Sequence, residues 1–268
     1  MLSEAPVRYQ FDKGRVIVST GGRCPVGCQY CYTYSPSFVG FPEREPGQVV
    51  ADLRANAGKF QLVQLGYDTE LFLPGKVDST LQLMRGIAGM GKDISFATRM
   101  VLTPPTIDAL ADIYAGMRGN NSVLVAFESI IGYETARKFE RNAPDPEERV
   151  KTVHRLHERG IPTFVYVRPL MPVVTDTEIA RLFAETEGHC LGRIVGPMIY
   201  QREIAERLFG VTADERAVMP WALDQREWNV HLDKRIRSLM ASRGAFFRSQ
   251  DAVNFARLSI GLEARVWA

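Results

Sequence analysis

The sequence predicts an α/β fold: a partial (β/α)6 barrel, TIM-like but open, followed by a short helical C-terminal extension. Three observations lead there. Short runs rich in Val, Ile and Phe alternate with amphipathic segments along residues 15–200, which is the pattern of repeated βα units. The runs are almost continuously apolar, as strands buried on both faces of a parallel sheet must be. Six such runs fall short of the eight strands that close a TIM barrel, so the sheet is expected to curve without closing.

In chain order, the first strand is "RVIVST" (15–20), and a helix over about 47–58 follows a long loop. "FQLVQLG" (60–66), "ISFAT" (94–98), "SVLVAF" (122–127), "TFVYV" (163–167) and "RIVGPMI" (193–199) supply the other strands. Helices are expected at about 76–89, 106–118, 146–159 and 175–187 between them. Thr103 and two prolines precede the third helix. At the fourth, Asp145 stands as N-cap, Pro146 at the first helical position and two glutamates in the first turn, where the helix dipole favours them. That helix is expected to end near Arg159, with Gly160 as C-cap and Pro162 beyond. After residue 200 the strand signal fades, and "QREIAERLFG" (201–210) and "WNVHLDKRIRSLMASRG" (228–244) read as helices. The chain therefore divides into a core (1–200) and an extension (201–268) that packs on the barrel or closes one end of it.

The 268 residues are 46% hydrophobic, enough for one large core or two small ones. Thirty-three basic residues nearly cancel 31 acidic ones, so net charge argues for neither nucleic acid nor a membrane surface as partner. One basic stretch with aromatics, "HLDKRIRSLMASRGAFFRS" (231–249), reads first as a solvated helix face and second as a contact for phosphate or nucleic acid. The N-terminus has no signal-peptide core, and no apolar run reaches the length of a membrane span. The expected location is cytoplasmic. Thiols stay reduced there, so clustered cysteines point to metal or redox chemistry rather than disulfides.

Three of the four cysteines fall in "RCPVGCQYC": Cys24, Cys28 and Cys31, spaced C-x3-C-x2-C on the loop after the first strand. In βα folds that loop lies on the active-site side. Structural zinc wants four protein ligands, and the fourth cysteine, Cys190 beside His189, is far away in sequence. Zinc with that distant ligand is one reading, and a Cys28/Cys31 redox pair is a lesser one, since no helix opens at "YTYSPSF". The third reading is a [4Fe–4S] cluster on three thiolates, which leaves one iron open for a small molecule.

C-x3-C-x-aromatic-C, with Tyr30 at the aromatic position, resembles the signature of the radical S-adenosylmethionine (SAM) enzymes. The likeness runs over about residues 15–200. Within that superfamily, "GRCPVGCQYCYTYSP", "GYDTELFLP", "FATR" and "FERNAPDPEERVKTVHRLHERGIPTFVYVRPLMPVVTD" look most like the spore photoproduct lyase-like group. The resemblance implies a [4Fe–4S] cluster on Cys24, Cys28 and Cys31 that cleaves SAM to methionine and a 5′-deoxyadenosyl radical, which takes hydrogen from an organic substrate. It also implies an external one-electron reductant of flavodoxin or ferredoxin type.

The same resemblance assigns roles along the strand ends. SAM's ammonium falls to Asp68, Thr69 and Glu70, with Gly66 allowing close backbone approach, although Glu70 departs from the Thr-Asp pair common in the lyase-like group. The carboxylate falls to Arg99, where relatives often carry Lys. The ribose falls to Glu128 and Ser129, and adenine to Tyr30, Val167 and Leu170 or to the stretch from Ile194 to Met198. Arg141 and Arg149 are expected to be structural, with the Arg149 head on a loop carbonyl or acid. His154 and His157 read as surface or packing residues. Tyr32 and Tyr34 are candidates to line a substrate pocket. Cys190 is a candidate hydrogen donor by analogy with spore photoproduct lyase, but the corresponding region here holds Tyr34 and Ser35, and Cys190 precedes the sixth strand, at the opposite end of the barrel.

Four cysteines are too few for a second cluster, and no segment remains for a cobalamin domain. The leading expectation is a single-cluster radical SAM enzyme acting on a small or medium-sized substrate, such as a natural-product, nucleoside or peptide intermediate. The alternatives are a DNA photoproduct lyase-like repair enzyme and a non-catalytic metal or electron-transfer module. Substrate identity, the fate of SAM and the oligomeric state are not encoded in any of these signals.

Overall fold

The structure is a computed structural model and describes residues 8–34, 40–171, 173–197, 238–239, 241 and 244–267. Its strands are β1 (Tyr9–Asp12), β2 (Arg15–Val18), β3 (Leu62–Leu65), β4 (Asp93–Thr98), β5 (Leu124–Ser129), β6 (Thr163–Leu170), β7 (Gly192–Pro197) and β8 (Ala245–Phe246). Its helices are α1 (Pro46–Ala55), α2 (Val77–Ala88), α3 (Pro104–Gly119), α4 (Glu134–Phe139), α5 (Pro146–Glu158), α6 (Asp176–Thr186) and α7 (Ser249–Ser259). The strands form one open sheet in sequence order. Every neighbouring pair from β2 to β8 is parallel, and β1 adds an antiparallel hairpin at one edge.

The six expected strands are β2 to β7, each within a few residues of its apolar run. The expected partial (β/α)6 fold is present, with β1 and β8 added at its edges. Both additions are short, and neither carries an apolar run long enough to stand out. Helix α4 was also not anticipated, because its six residues hold too little periodicity. Pro46, Pro104 and Pro146 each open a helix, where a missing N–H costs nothing. Asp145 caps α5 by accepting from the Glu147 N–H at 3.1 Å, whereas Thr103 gives α3 no side-chain cap bond to the backbone. At the end of α5 the capping position is Arg159. Gly160 follows it and closes a Schellman-type turn, with its N–H on the His157 carbonyl and the Ile161 N–H on that of Leu156.

Residues level with one another in a parallel ladder share a face. One face carries Val63, Phe96, Ala126 and Val165. It packs on the helices: Val165 and Val167 cluster with Val150 and Val153 of α5 and Ile179 and Leu182 of α6. The other face carries Gln64, Ser95, Ala97, Phe127, Phe164 and Tyr166 and lines the inside of the barrel.

The N-terminal ends of the strands are closed by α7. Ala252, Val253 and Ala256 enter the main apolar cluster. The buried Arg257 donates to the buried Asp93 carboxylate at 2.7 Å, and Asp93 also accepts from Arg265 and from the Val123 N–H. The expected helix 201–210 lies outside the described residues, as do most of 228–244 and the boundary near 200.

Arg257 to Asp93 is a fully buried pair, and breaking one side of such a pair leaves a charge without compensation. Arg257→Leu is expected to lower the unfolding free energy by about 3 kcal/mol, read as a drop in the urea midpoint by circular dichroism.

Candidate active site

Cys24, Cys28 and Cys31 line one open cleft at the C-terminal ends of β2 and β3. Gly27, Thr33, Gly66, Tyr67, Asp68, Thr69, Glu70 and Arg99 complete its wall. The cysteine loop is held by backbone bonds to the segment after α4. Cys28 bridges Glu140, the Gln29 N–H reaches the Phe139 carbonyl, and the Asn142 N–H reaches that of Val26. The Asn142 side chain adds a bond to the Pro25 carbonyl at 2.8 Å.

Behind the loop lies a buried charge cluster. One Glu140 oxygen accepts from the Tyr30 hydroxyl and from Arg99 Nε at 3.0 Å. The other accepts from Arg149 Nη1 at 2.7 Å, and Arg149 also donates to the Ser129 carbonyl. Burial opposes the charge on Glu140, but Arg149, Arg99 and the Tyr30 hydroxyl outweigh it and hold the carboxyl below its usual range. Arg149 therefore has both the carbonyl and the acid expected for it, while Arg141 is exposed. Sequence reading missed Glu140, because nothing in "KFERNAP" separates a buried glutamate from a surface one.

The loop after β3 supplies the facing wall. Gly66 turns at φ +77°, and a Cβ there would fall 2.3 Å from the Ala97 carbonyl oxygen, so this turn requires glycine. Glu70 is already used as a staple: it accepts from the N–H groups of Leu71, Phe72 and Arg99 and from the Thr98 hydroxyl. Asp68 accepts from the Ser19 hydroxyl through one oxygen, while its other oxygen and the Thr69 hydroxyl are buried without partners. Burial pushes the Asp68 carboxyl up, against the Ser19 hydrogen bond. Orphaned buried oxygens of this kind cost about 1–3 kcal/mol each, which a cationic donor in the cleft would recover.

Of the residues assigned to SAM, the cleft gathers Gly66, Asp68, Thr69, Glu70 and Arg99. The others lie elsewhere. Glu128 is level with Thr98 and Val165 and is therefore turned toward the helices, beside Arg149, not toward the inside of the barrel. Both its oxygens are buried without partners, and burial pushes the carboxyl well above the usual range. Val167 is level with the helix-side face, and Leu170, past a register shift in β6, is buried with it in the cluster that also takes Cys28 and Tyr30; Tyr30 is buried against Glu140. Ser129, level with Tyr166, does face inward with an unpartnered hydroxyl. Tyr166 and Arg168 were missed as inward residues. The alternation V-Y-V-R in β6 could have found them, since it puts valines on one face and the polar pair on the other.

Tyr32 packs on Tyr67 at 5.6 Å between ring centroids, and Tyr34 closes the same short turn. Ser35 and Met198 lie outside the described residues. His154 stacks on His189 at 3.9 Å, with His157 edge-on to His189, at the end of the sheet away from the cleft. Cys190 sits there too, with its thiol on the Thr186 carbonyl at 3.4 Å.

Burial pushes the Cys28 thiol up to about 12, against the pull of Arg99, and raises Cys24 as well. Loading metal on these thiols must therefore expel protons. The donor set fits an iron–sulfur cluster: three thiols, on one loop, facing one cleft. Among the described residues no helix is long and apolar enough to cross a membrane.

A family model described as the Radical SAM superfamily matches residues 18–185, more than half of the chain. Among solved structures, the chain is similar to SuiB of Streptococcus suis bound to S-adenosylmethionine, with 12% identity and a TM-score of 0.59 over 89% of this chain and 50% of SuiB. It thus spans about half the length of SuiB. It is also similar to spore photoproduct lyase: a variant with bound AdoMet and dinucleoside spore photoproduct (12% identity, TM-score 0.63, 87% of this chain and 76% of that one), and a second variant (12%, 0.64, 91% and 81%). At these identities the likeness carries the fold alone. No curated protein matches the sequence.

A carboxyl held below its usual range contributes stability above the unfolded-state value and loses it as pH falls through the folded one. Glu140→Gln is therefore expected to lower stability at neutral pH by about 3 kcal/mol and to flatten the loss seen on acidification. Urea unfolding of both proteins at neutral and acidic pH checks this; parallel pH profiles would remove Glu140 from the account.

Proposed function

The chain belongs to the radical SAM superfamily, and from that premise we propose that it is an enzyme in which Cys24, Cys28 and Cys31 hold a [4Fe–4S] cluster and the adjoining cleft takes SAM. The observation that carries this reading is the convergence of three thiols, two orphaned oxygens and one guanidinium on a single cleft. When bound, cluster and SAM together supply reductive cleavage to methionine and a 5′-deoxyadenosyl radical that takes hydrogen from an organic substrate.

The chain's own residues bind and orient. Asp68 and Thr69 accept from the ammonium of SAM. Arg99 is fixed through Nε on Glu140, which leaves its terminal nitrogens for the carboxylate. The Ser129 hydroxyl serves the ribose from the inner face. Glu70 keeps the β3 loop in shape and does not contact SAM directly. The substrate is a small or medium-sized molecule, a natural-product, nucleoside or peptide intermediate, and the electron comes from a flavodoxin- or ferredoxin-type partner.

The photoproduct-lyase alternative asks for a thiol at the barrel mouth to return hydrogen. Cys190 is at the other end of β7, so that alternative lacks support from this chain's cysteines.

Anaerobic reconstitution with iron and sulfide is expected to load about four irons per chain and, with reductant and SAM, to yield 5′-deoxyadenosine. Cys28→Ala is expected to lose both. Asp68→Asn is expected to keep its iron and weaken SAM binding by about tenfold. A wild-type protein that takes up zinc, builds no cluster and ignores SAM would overturn the assignment.

A further inference from the structure

Resting on that reading, we propose that Arg168 anchors an anionic group of the substrate, a carboxylate or a phosphate monoester. Arg168 lies at the C-terminal end of β6, the same end as the cysteine cleft, and shares the inner face with Tyr166. The other guanidiniums around the site are engaged: Arg99 and Arg149 on Glu140, Arg15 on Asp12. Arg168 has no ion pair or hydrogen bond among the described residues; its one contact of note is the Phe247 ring, 5.8 Å from the guanidinium carbon. A guanidinium beside an aromatic ring keeps the edge of its fork available for two parallel bonds to an anion.

The strand beside it makes room for this arginine. A Cβ on Gly196 of β7 would fall 2.9 Å from Arg168 Nε. Any larger residue at 196 would push the guanidinium aside.

Tyr67 links this cation to the cleft. It lines the cleft, is 46% exposed, and packs on Tyr32. Desolvation raises its phenol above the ordinary value, against the Tyr32 hydrogen bond, and Tyr166, Arg15 and Arg168 all act on its charge. A substrate held by its anion at Arg168 would lie across the Tyr67 ring toward the thiols. Arg99 and Arg168 then have separate tasks, one for the carboxylate of SAM and one for the substrate.

The test uses the reconstituted, SAM-loaded protein under anaerobic conditions, titrated calorimetrically with benzoate, phenyl phosphate and the neutral benzyl alcohol. At least one anion is expected to bind at millimolar concentration, and the preferred one identifies the group as carboxylate or phosphate. Arg168→Gln is expected to weaken it by about tenfold or more without a matching loss of SAM affinity, and Arg168→Lys by less. Gly196→Ala, which keeps the arginine but displaces its guanidinium, is expected to weaken it too, and with Arg168→Lys it carries the test if Arg168→Gln does not fold. Wild type that binds neither anion, variants that bind as wild type does, or an equal loss of SAM affinity would overturn the proposal. Absence of 5′-deoxyadenosine from wild type would instead overturn the radical SAM reading, so the two failures are distinct.

Discussion

The Glu140 carboxylate is the constraint on which the candidate site depends. It is fully buried, and it gathers a tyrosine from the cysteine loop, an arginine from the end of β4 and an arginine from α5. A buried carboxylate with one cation would be close to break-even against its desolvation. With two guanidiniums and a phenol, both Glu140 oxygens are engaged by strong donors. The consequence is geometric. The loop bearing the three thiols has no regular structure of its own, and it is set in place through Tyr30 and through backbone bonds to the residues on either side of Glu140.

The two ends of the barrel use buried charge differently. At the C-terminal end the charges hold loops and leave groups open: among the described residues Asp68, Thr69 and Ser129 keep unpartnered oxygens, and Arg168 keeps an unpaired fork. At the N-terminal end Asp93 is saturated by two arginines and a backbone N–H, and α7 is closed onto the strand ends. Glu128 has no side-chain hydrogen bond among the described residues; Arg149 and Arg99 favour its charge, and burial together with Glu70 and Glu140 outweighs them.

Much of the fold was legible because burial on both faces writes itself as continuous apolar runs, and β2 to β7 are six such runs. The short β1 and β8 and the six-residue α4 left no such record. In the site, the three cysteines and the Gly66–Glu70 loop could be read because they sit in consecutive positions. The side to which Glu128 turns was not legible, because β5 is buried on both sides and gives no hydrophobic alternation to tell inside from outside; a shift of one residue reverses the assignment. Val167 stands in the V-Y-V-R alternation of β6, which sets it with the valines of the helix side.

The sequence by itself determined the alternation of strand and helix, the loop that carries the thiols and the chemistry that three thiols on one loop can support. These are local properties, set by residues within a few positions of each other. The tertiary structure decided which carboxylates are staples and which are open, because Glu70 and Glu140 take their roles from partners distant in sequence, Arg99 at 29 and 41 residues and Tyr30 at 110. It also decided that Arg168, set against Phe247 and Gly196, is left without a counter-charge among the described residues. Pairing of charges depends on distance through space and on water excluded by packing, and neither is written in the order of residues along the chain.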